Sequence, residues 1–280
     1  MIGSLADLLR RAWAHPSGRL GAVMLVILAL AAAVGPSVLQ DPFAMPDVVA
    51  GATPPTMEHP FGTDHLNRDV LSRVVNGARV SLTVASLAVL LALTVGTAVG
   101  LVAGFFGGWV DSLLMRLVDA ALAIPRLFVL LLLLVVWERI PLYALVLVLG
   151  TTGWFATSRL VRGEVLRLKQ EPYVSAAVAL GAGAWRTITR HLLPNAAGPV
   201  LVAATLGVGD VILLESGLSF LGLGIQPPTP SWGGMVLDAR PLLLDAPWTA
   251  IFPGAAIVVT VLAVNLLGDA LGAALDPRSA

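Results

Sequence analysis

The chain contains no cysteine. That one absence excludes disulfides, iron–sulfur clusters, thiol catalysis and zinc–thiolate sites together. Lysine is almost as scarce, since Lys169 is the only one and Gln170 follows it. A phosphate-binding loop needs a lysine followed by serine or threonine, so none can form here. Any nucleotide energy that drives this protein is released on another subunit. Charge is also sparse, at 12% of residues, where soluble domains carry about a quarter. With 57% hydrophobic residues and a mean hydropathy of +0.89, the chain must bury apolar surface in lipid. Formal net charge is zero, so no global field favours nucleic acid and the information lies in where the charges fall. Neither a His-Glu-x-x-His nor a Gly-x-Ser-x-Gly motif is present, which leaves intramembrane hydrolysis without machinery. His59, Asp64 and His65 lie close in sequence but lack a third firm ligand, so no metal site is expected.

What the chain does have is six apolar runs of bilayer-spanning length, at about 20–39, 80–106, 113–136, 141–158, 200–223 and 247–267. Their backbone groups must be satisfied within each run, which predicts an all-α polytopic membrane protein with six transmembrane helices. Basic residues set the orientation. With the N-terminus inside, Arg10, Arg11, Arg19, Arg116, Arg159, Arg162, Arg167, Lys169, Arg186, Arg190 and Arg278 face the cytoplasm, eleven in all. Five, Arg68, Arg73, Arg79, Arg139 and Arg240, face outward. This excess places both termini and the segment from Glu171 to Pro199 inside. Asp47 and other acidic residues fall outside. The first run resembles a signal peptide at its basic start, but it continues past a signal core to Gly35-Pro36, so an anchoring helix is expected. Ile2, Leu5, Leu8, Leu9 and Trp13 recur at helical spacing. They predict a leading segment lying along the inner membrane surface, with a frayed tail as the alternative.

Outside the membrane, Leu66, Val70, Leu71, Val74 and Val75 mark one face of an external amphipathic helix over 64–79, leading into the second span. That span carries Gly96, Gly100, Gly104 and Gly108 at intervals of four, a stripe that permits close approach of another backbone, whether fixed or moving. Asp119, Arg126, Asp210, Glu215 and Asp269 fall within or at the edges of spans. Ionised groups in hydrocarbon are costly, so these should face the bundle interior, one another or water. Asp119 and Arg126, seven residues apart, are expected on one face of a continuous third span. The set is open to three roles: structural ion pairs, the lining of a polar path, or a proton relay.

The segment from Glu171 to Pro199 is a polar, basic island between apolar runs. Ser175 can cap a short helix ending at Leu180, Ala176 and Ala177 keep it slim, and Gly181 can end it in a left-handed conformation. A second helix is expected from Ala184 to Leu193, stopped by Pro194. A slim helix flanked by Arg167, Lys169, Arg186 and Arg190 suits insertion into a groove on a partner protein; an ordinary shielding loop would be shorter. The cytoplasmic element alone also allows a membrane scaffold, and an ion-coupled secondary transporter is the other competing class.

The island resembles the coupling loop of ABC importer permeases, whose pattern is Glu-Ala-Ala, three residues, Gly and a later Leu-Pro. Ala176, Ala177, Gly181, Leu193 and Pro194 match with that spacing, and Ser175 stands in place of the glutamate. Further blocks resemble the C-type permease of dipeptide, oligopeptide and nickel importers. They are His59-Pro60-Phe61-Gly62-Thr63-Asp64, Arg162-Gly163-Glu164, Arg190-His191-Leu192-Leu193-Pro194-Asn195 and Glu215-Ser216-Gly217-Leu218-Ser219-Phe220. The resemblance implies the type I importer permease fold in a bacterial inner membrane. It implies a cytoplasmic segment (1–19), a first span with its external loop (20–79) and a permease core (80–280) whose coupling loop is 159–199. It further implies a non-catalytic chain partnered by a sister permease, two ATPase subunits that use ATP and magnesium, and an external substrate-binding protein. Ser175, Ala176, Ala177, Leu180 and Gly181 would dock the ATPase, with Arg162, Glu164, Arg190, His191 and Pro194 in support. Peptides are the default substrate of that subfamily, with nickel or another small solute as the alternative.

Overall fold

A computed structural model describes residues 5–45 and 51–275, and these form eleven α-helices with one isolated β-bridge. Ile2, Asp47 and Arg278 lie outside the described residues. Five helices are long and apolar enough to cross a membrane singly, and a bent pair counted as one span would bring the number to six. The chain is a multi-pass membrane protein.

The first helix, α1 (Leu5–Ala14), is amphipathic. It buries Leu8 and Ala12 against Ala270, Leu271 and Ala274 while Leu9 and Trp13 stay exposed, so this stretch is a docked helix and not a frayed tail. Next, α2 (Pro16–Val38) packs on the last helix, α11 (Trp248–Leu275). A methyl at Gly21 would sit 2.6 Å from the Ala263 carbonyl oxygen.

The second span is α3 (Val70–Phe106), whose 37 residues make a rod of about 55 Å. It starts six residues later than the amphipathic pattern suggests. Asp69 caps it by accepting the Ser72 N–H at 2.6 Å. Asp64 accepts the backbone N–H groups of Leu66 and Arg68 at 2.9 and 3.0 Å. These two carboxylates satisfy donors in a turn, so the segment before Val70 folds as a capped loop.

Along its inner half α3 lies against α6 (Leu142–Leu168). A Cβ at Gly96 would meet the Trp154 carbonyl oxygen at 2.7 Å, one at Gly100 the Ser158 carbonyl oxygen at 2.6 Å, and one at Gly104 the Val165 side chain at 2.8 Å. The stripe is therefore a seam within the chain. Gly108 does not belong to it: it has φ +55° and opens the next helix in free space.

The run expected to form a continuous third span is broken. Helices α4 (Gly108–Leu122) and α5 (Arg126–Leu134) meet at 79°. Pro125 carries no N–H and disfavours the helical region at Ile124, so α4 ends and α5 restarts with Pro125 as its cap.

After α6 come α7 (Pro172–Ala179), α8 (Ala184–Thr187), a π turn (Ile188–Leu192) and α9 (Leu193–Phe220). After α9 come α10 (Trp232–Asp238) and a 3-10 turn (Arg240–Leu242). The main core joins α3, α5, α6, α9 and α10 through the fully buried Val84, Leu130, Leu145, Leu149, Ile212, Leu218 and Trp232. The Trp232 indole N–H donates to the Val74 carbonyl at 2.9 Å.

Candidate functional site

Between α6 and α9 the chain leaves the bundle and builds α7. Pro172 occupies the first turn, where a missing N–H costs nothing, and Glu171 is the N-cap through its backbone. The helix therefore starts three residues before Ser175, which lies exposed in its interior and caps nothing. At the other end Gly181 has φ +85°. Its N–H donates to Val178 at 2.9 Å, and Ala182 donates to Ala177 at 3.0 Å. This is the paired closure in which a left-handed residue satisfies the last carbonyls.

One side chain anchors this element. Val174 is buried with Leu101, Val161, Val165, Leu168, Leu192 and Ala196 in a small apolar cluster. The element also leaves apolar side chains in the open: Leu180 is 89% exposed and Trp185 78% exposed, and Tyr173 and Val178 are exposed as well. Arg186 and Arg190 flank the patch and are exposed. The composition of the island signals its basic rim but not the prominence of Trp185, a single aromatic in a short helix.

The expected stop at Pro194 does not occur. A π turn over Ile188–Leu192 widens the helix, Leu193 N–H donates five residues back to Ile188, and Pro194 falls in the first turn of α9. The shifted register leaves proline where its missing donor is not required. The helical run that contains this crossing thus begins at Ala184 and continues to Phe220 without a stop at Pro194.

The five residues expected in support have separate fates. Arg162 donates twice to Asp111, at 2.5 and 2.6 Å, and ties α6 to α4. Glu164 accepts from Arg167 at 2.6 and 3.1 Å, and Arg167 reaches on to Glu171 at 3.3 Å, just before α7. His191 faces the Tyr173 ring at 6.3 Å between centroids. Arg190 forms no ion pair among the described residues, and Pro194 is exposed. Lys169 was expected at the docking rim. Instead its ammonium donates to the carbonyls of Phe105 at 2.8 Å and Gly104 at 3.3 Å, where a cation suits the end of α3.

The intramembrane charges do not pair as their sequence spacing suggests. The bend puts Asp119 on α4 and Arg126 on α5. Asp119 pairs instead with Arg159 of α6. Arg126 donates to the Leu149 carbonyl at 2.6 Å and to the Thr152 hydroxyl at 3.2 Å. Glu215 is fully buried and accepts from Ser219 at 2.8 Å, Ser81 at 3.4 Å and Ser216 at 3.5 Å. It joins α9 to α3 without a cation within ion-pair distance among the described residues. Asp269 is exposed on α11. Arg126 and Asp210 line a cavity of about 510 Å³ that runs from them to Leu160, Pro199 and Leu275, at the end of the bundle where α7 sits.

A membrane bundle with a lined cavity at the end that bears an exposed apolar knob has the layout of a transport component. Residues 96–280 match the family described as binding-protein-dependent transport system inner membrane component. The chain belongs to that family. It is therefore a transport permease subunit and not an enzyme by kind. The chain is similar to the oligopeptide transport system permease protein OppC of Bacillus subtilis, 37% identical over 97% of this chain and 89% of that protein. It is similar to the dipeptide transport system permease protein DppC of the same organism, at 40% over 97% and 85%. A third relative, DppC of Alkalihalophilus pseudofirmus, is 43% identical over 80% and 73%.

Proposed function

We propose that this chain is one permease half of an ATP-driven importer of di- or oligopeptides. A sister permease supplies the other half of the path, two separate ATPase subunits use ATP and magnesium, and an external binding protein delivers the substrate. The chain itself holds no cofactor and no metal. It sits in a bacterial plasma membrane with both termini in the cytoplasm, as the basic residues distribute. Peptide is favoured over nickel because the relatives similar over nearly the whole chain carry peptide or dipeptide names.

The observation that carries the reading is the form of the element made by α7 and α8. An apolar knob bearing Leu180 and Trp185 in the open is costly to leave in water, and Val174 holds it rigidly on the bundle. Seated in a groove of an ATPase, it transmits that subunit's closure to α6 and α9, between which it is spliced. Two sites then bias one two-state element, which is coupling in the thermodynamic sense.

The test replaces Ala177 by Arg, or Gly181 by Trp, in the complete importer reconstituted in liposomes. Membrane insertion should be normal, while ATP hydrolysis no longer drives uptake. Normal uptake by both variants refutes the docking role. Solute movement by the purified chain under an ion gradient, without ATPase, would establish a secondary transporter instead.

A further inference from the structure

The cavity contains a charge arrangement that the docking role does not use. Arg126 is fixed: its Nε and Nη2 groups are spent on Thr152 and Leu149 of α6. Glycine at position 153 makes the space for it. A Cβ there would lie 3.0 Å from Nη2 and 3.1 Å from the Ala92 side chain. The guanidinium is thus slotted into the wall, and Nη1 is left over as a donor. Asp210 lies on α9, exposed in the same cavity. The two do not close on each other, since no ion pair joins them among the described residues. An unclosed pair of opposite charges in a membrane cavity is expensive unless something polar occupies the gap. The volume, about 510 Å³, is within the range of small-molecule sites. The rest of the wall is largely apolar, including Val89, Leu160 and Leu206, which tolerates varied side chains.

We propose that Arg126 and Asp210 form a transit site for the two termini of a short zwitterionic peptide. The guanidinium takes the carboxylate and Asp210 takes the ammonium, while the apolar walls accept the side chains. The site rests on the peptide reading above. The remaining Nη1 can donate a charge-assisted hydrogen bond to that carboxylate. Binding both ends asks only that the cargo be a zwitterion, so one site serves many sequences.

The test uses the nucleotide-free permease–ATPase complex in nanodiscs, without binding protein. A dipeptide of benzoylphenylalanine and alanine is photolysed on it and the labelled residues are mapped by mass spectrometry. Label should fall on the cavity wall around Leu160 and Leu206. Unlabelled Ala-Ala should compete about tenfold better than Ala-Ala amide, and about tenfold better than N-acetyl-Ala-Ala. Arg126→Gln should abolish the preference over the amide, and Arg126→Lys should retain part of it. Asp210→Asn should abolish the preference over the acetylated peptide alone. Gly153→Val, which displaces the guanidinium without removing its charge, should act as Arg126→Gln does. Label elsewhere, equal competition by all three peptides in the unaltered protein, or variants that lower labelling without changing preference would overturn the proposal. Peptide uptake by the complete importer in liposomes separates the two failures. Uptake without cavity labelling removes the site and leaves the peptide reading standing, whereas no uptake of any peptide removes both.

Discussion

Replacing Gly100 by Ala adds one methyl to the α3–α6 seam, and its effect follows from the geometry. The new carbon would lie 2.6 Å from the Ser158 carbonyl oxygen, 2.7 Å from the Val161 Cβ and 3.0 Å from the Arg162 nitrogen. Two of these are backbone atoms, so no side chain can turn away and the helices must separate locally by several tenths of an ångström. Overpacking of this kind costs about 1–3 kcal/mol, and alanine returns up to about 1 kcal/mol through helix propensity. With that full return the net loss is up to about 2 kcal/mol. Gly163 on α6 is the control, because a Cβ there meets nothing within 4 Å and Gly163→Ala should gain up to about 1 kcal/mol. Intrinsic tryptophan fluorescence during thermal unfolding of the detergent-solubilised chain should separate the two variants by several degrees, in opposite directions from the parent. Equal shifts for both would show that Gly100 is tolerated like any helical glycine and would refute the seam.

Val174→Asp should release α7 from its apolar cluster at a cost of several kcal/mol, since an unpaired carboxylate would replace a buried side chain; the spans should still insert while co-purification of the ATPase is lost. Glu215→Gln should be tolerated better than Glu215→Leu, because glutamine keeps a hydrogen-bond acceptor for the serines whereas leucine strands Ser219 and Ser81, at about 1–3 kcal/mol each. Midpoints of unfolding for the two variants check that order.

The elements legible in the sequence were those fixed by local chemistry over many residues. Apolar runs gave the crossings, and the spacing of Gly96, Gly100 and Gly104 gave a close-packed face. Gly181 ended α7 because few other residues adopt its conformation cheaply. The failures cluster at prolines and at polar residues with two options. Pro125 sits inside an apolar run whose hydropathy continues across it, so composition hides the bend. Pro172 and Pro194 are both compatible with a first turn, and only the surrounding hydrogen bonds show that each begins a helix. Ser175 is a good cap by type, yet a preceding proline set the start earlier. Which helix a charge meets is set by tertiary placement, so the partners Asp111 for Arg162 and Arg159 for Asp119 were invisible in one dimension. Asp111 gave a faint signal, following the Gly107-Gly108 pair at the start of a span.

Helix α6 is one uninterrupted element of 27 residues, stitched to α3 along one flank and leading directly into α7. A rod of that length is about 40 Å, so a tilt of about 5° at one end swings the other by about 3.5 Å. A small, stiff rotation applied at one end would be magnified at the other without any residue being stretched. A flexible hinge between Leu168 and Pro172 would squander that mechanical advantage, and the Lys169 clasp on the end of α3 is what keeps the joint short.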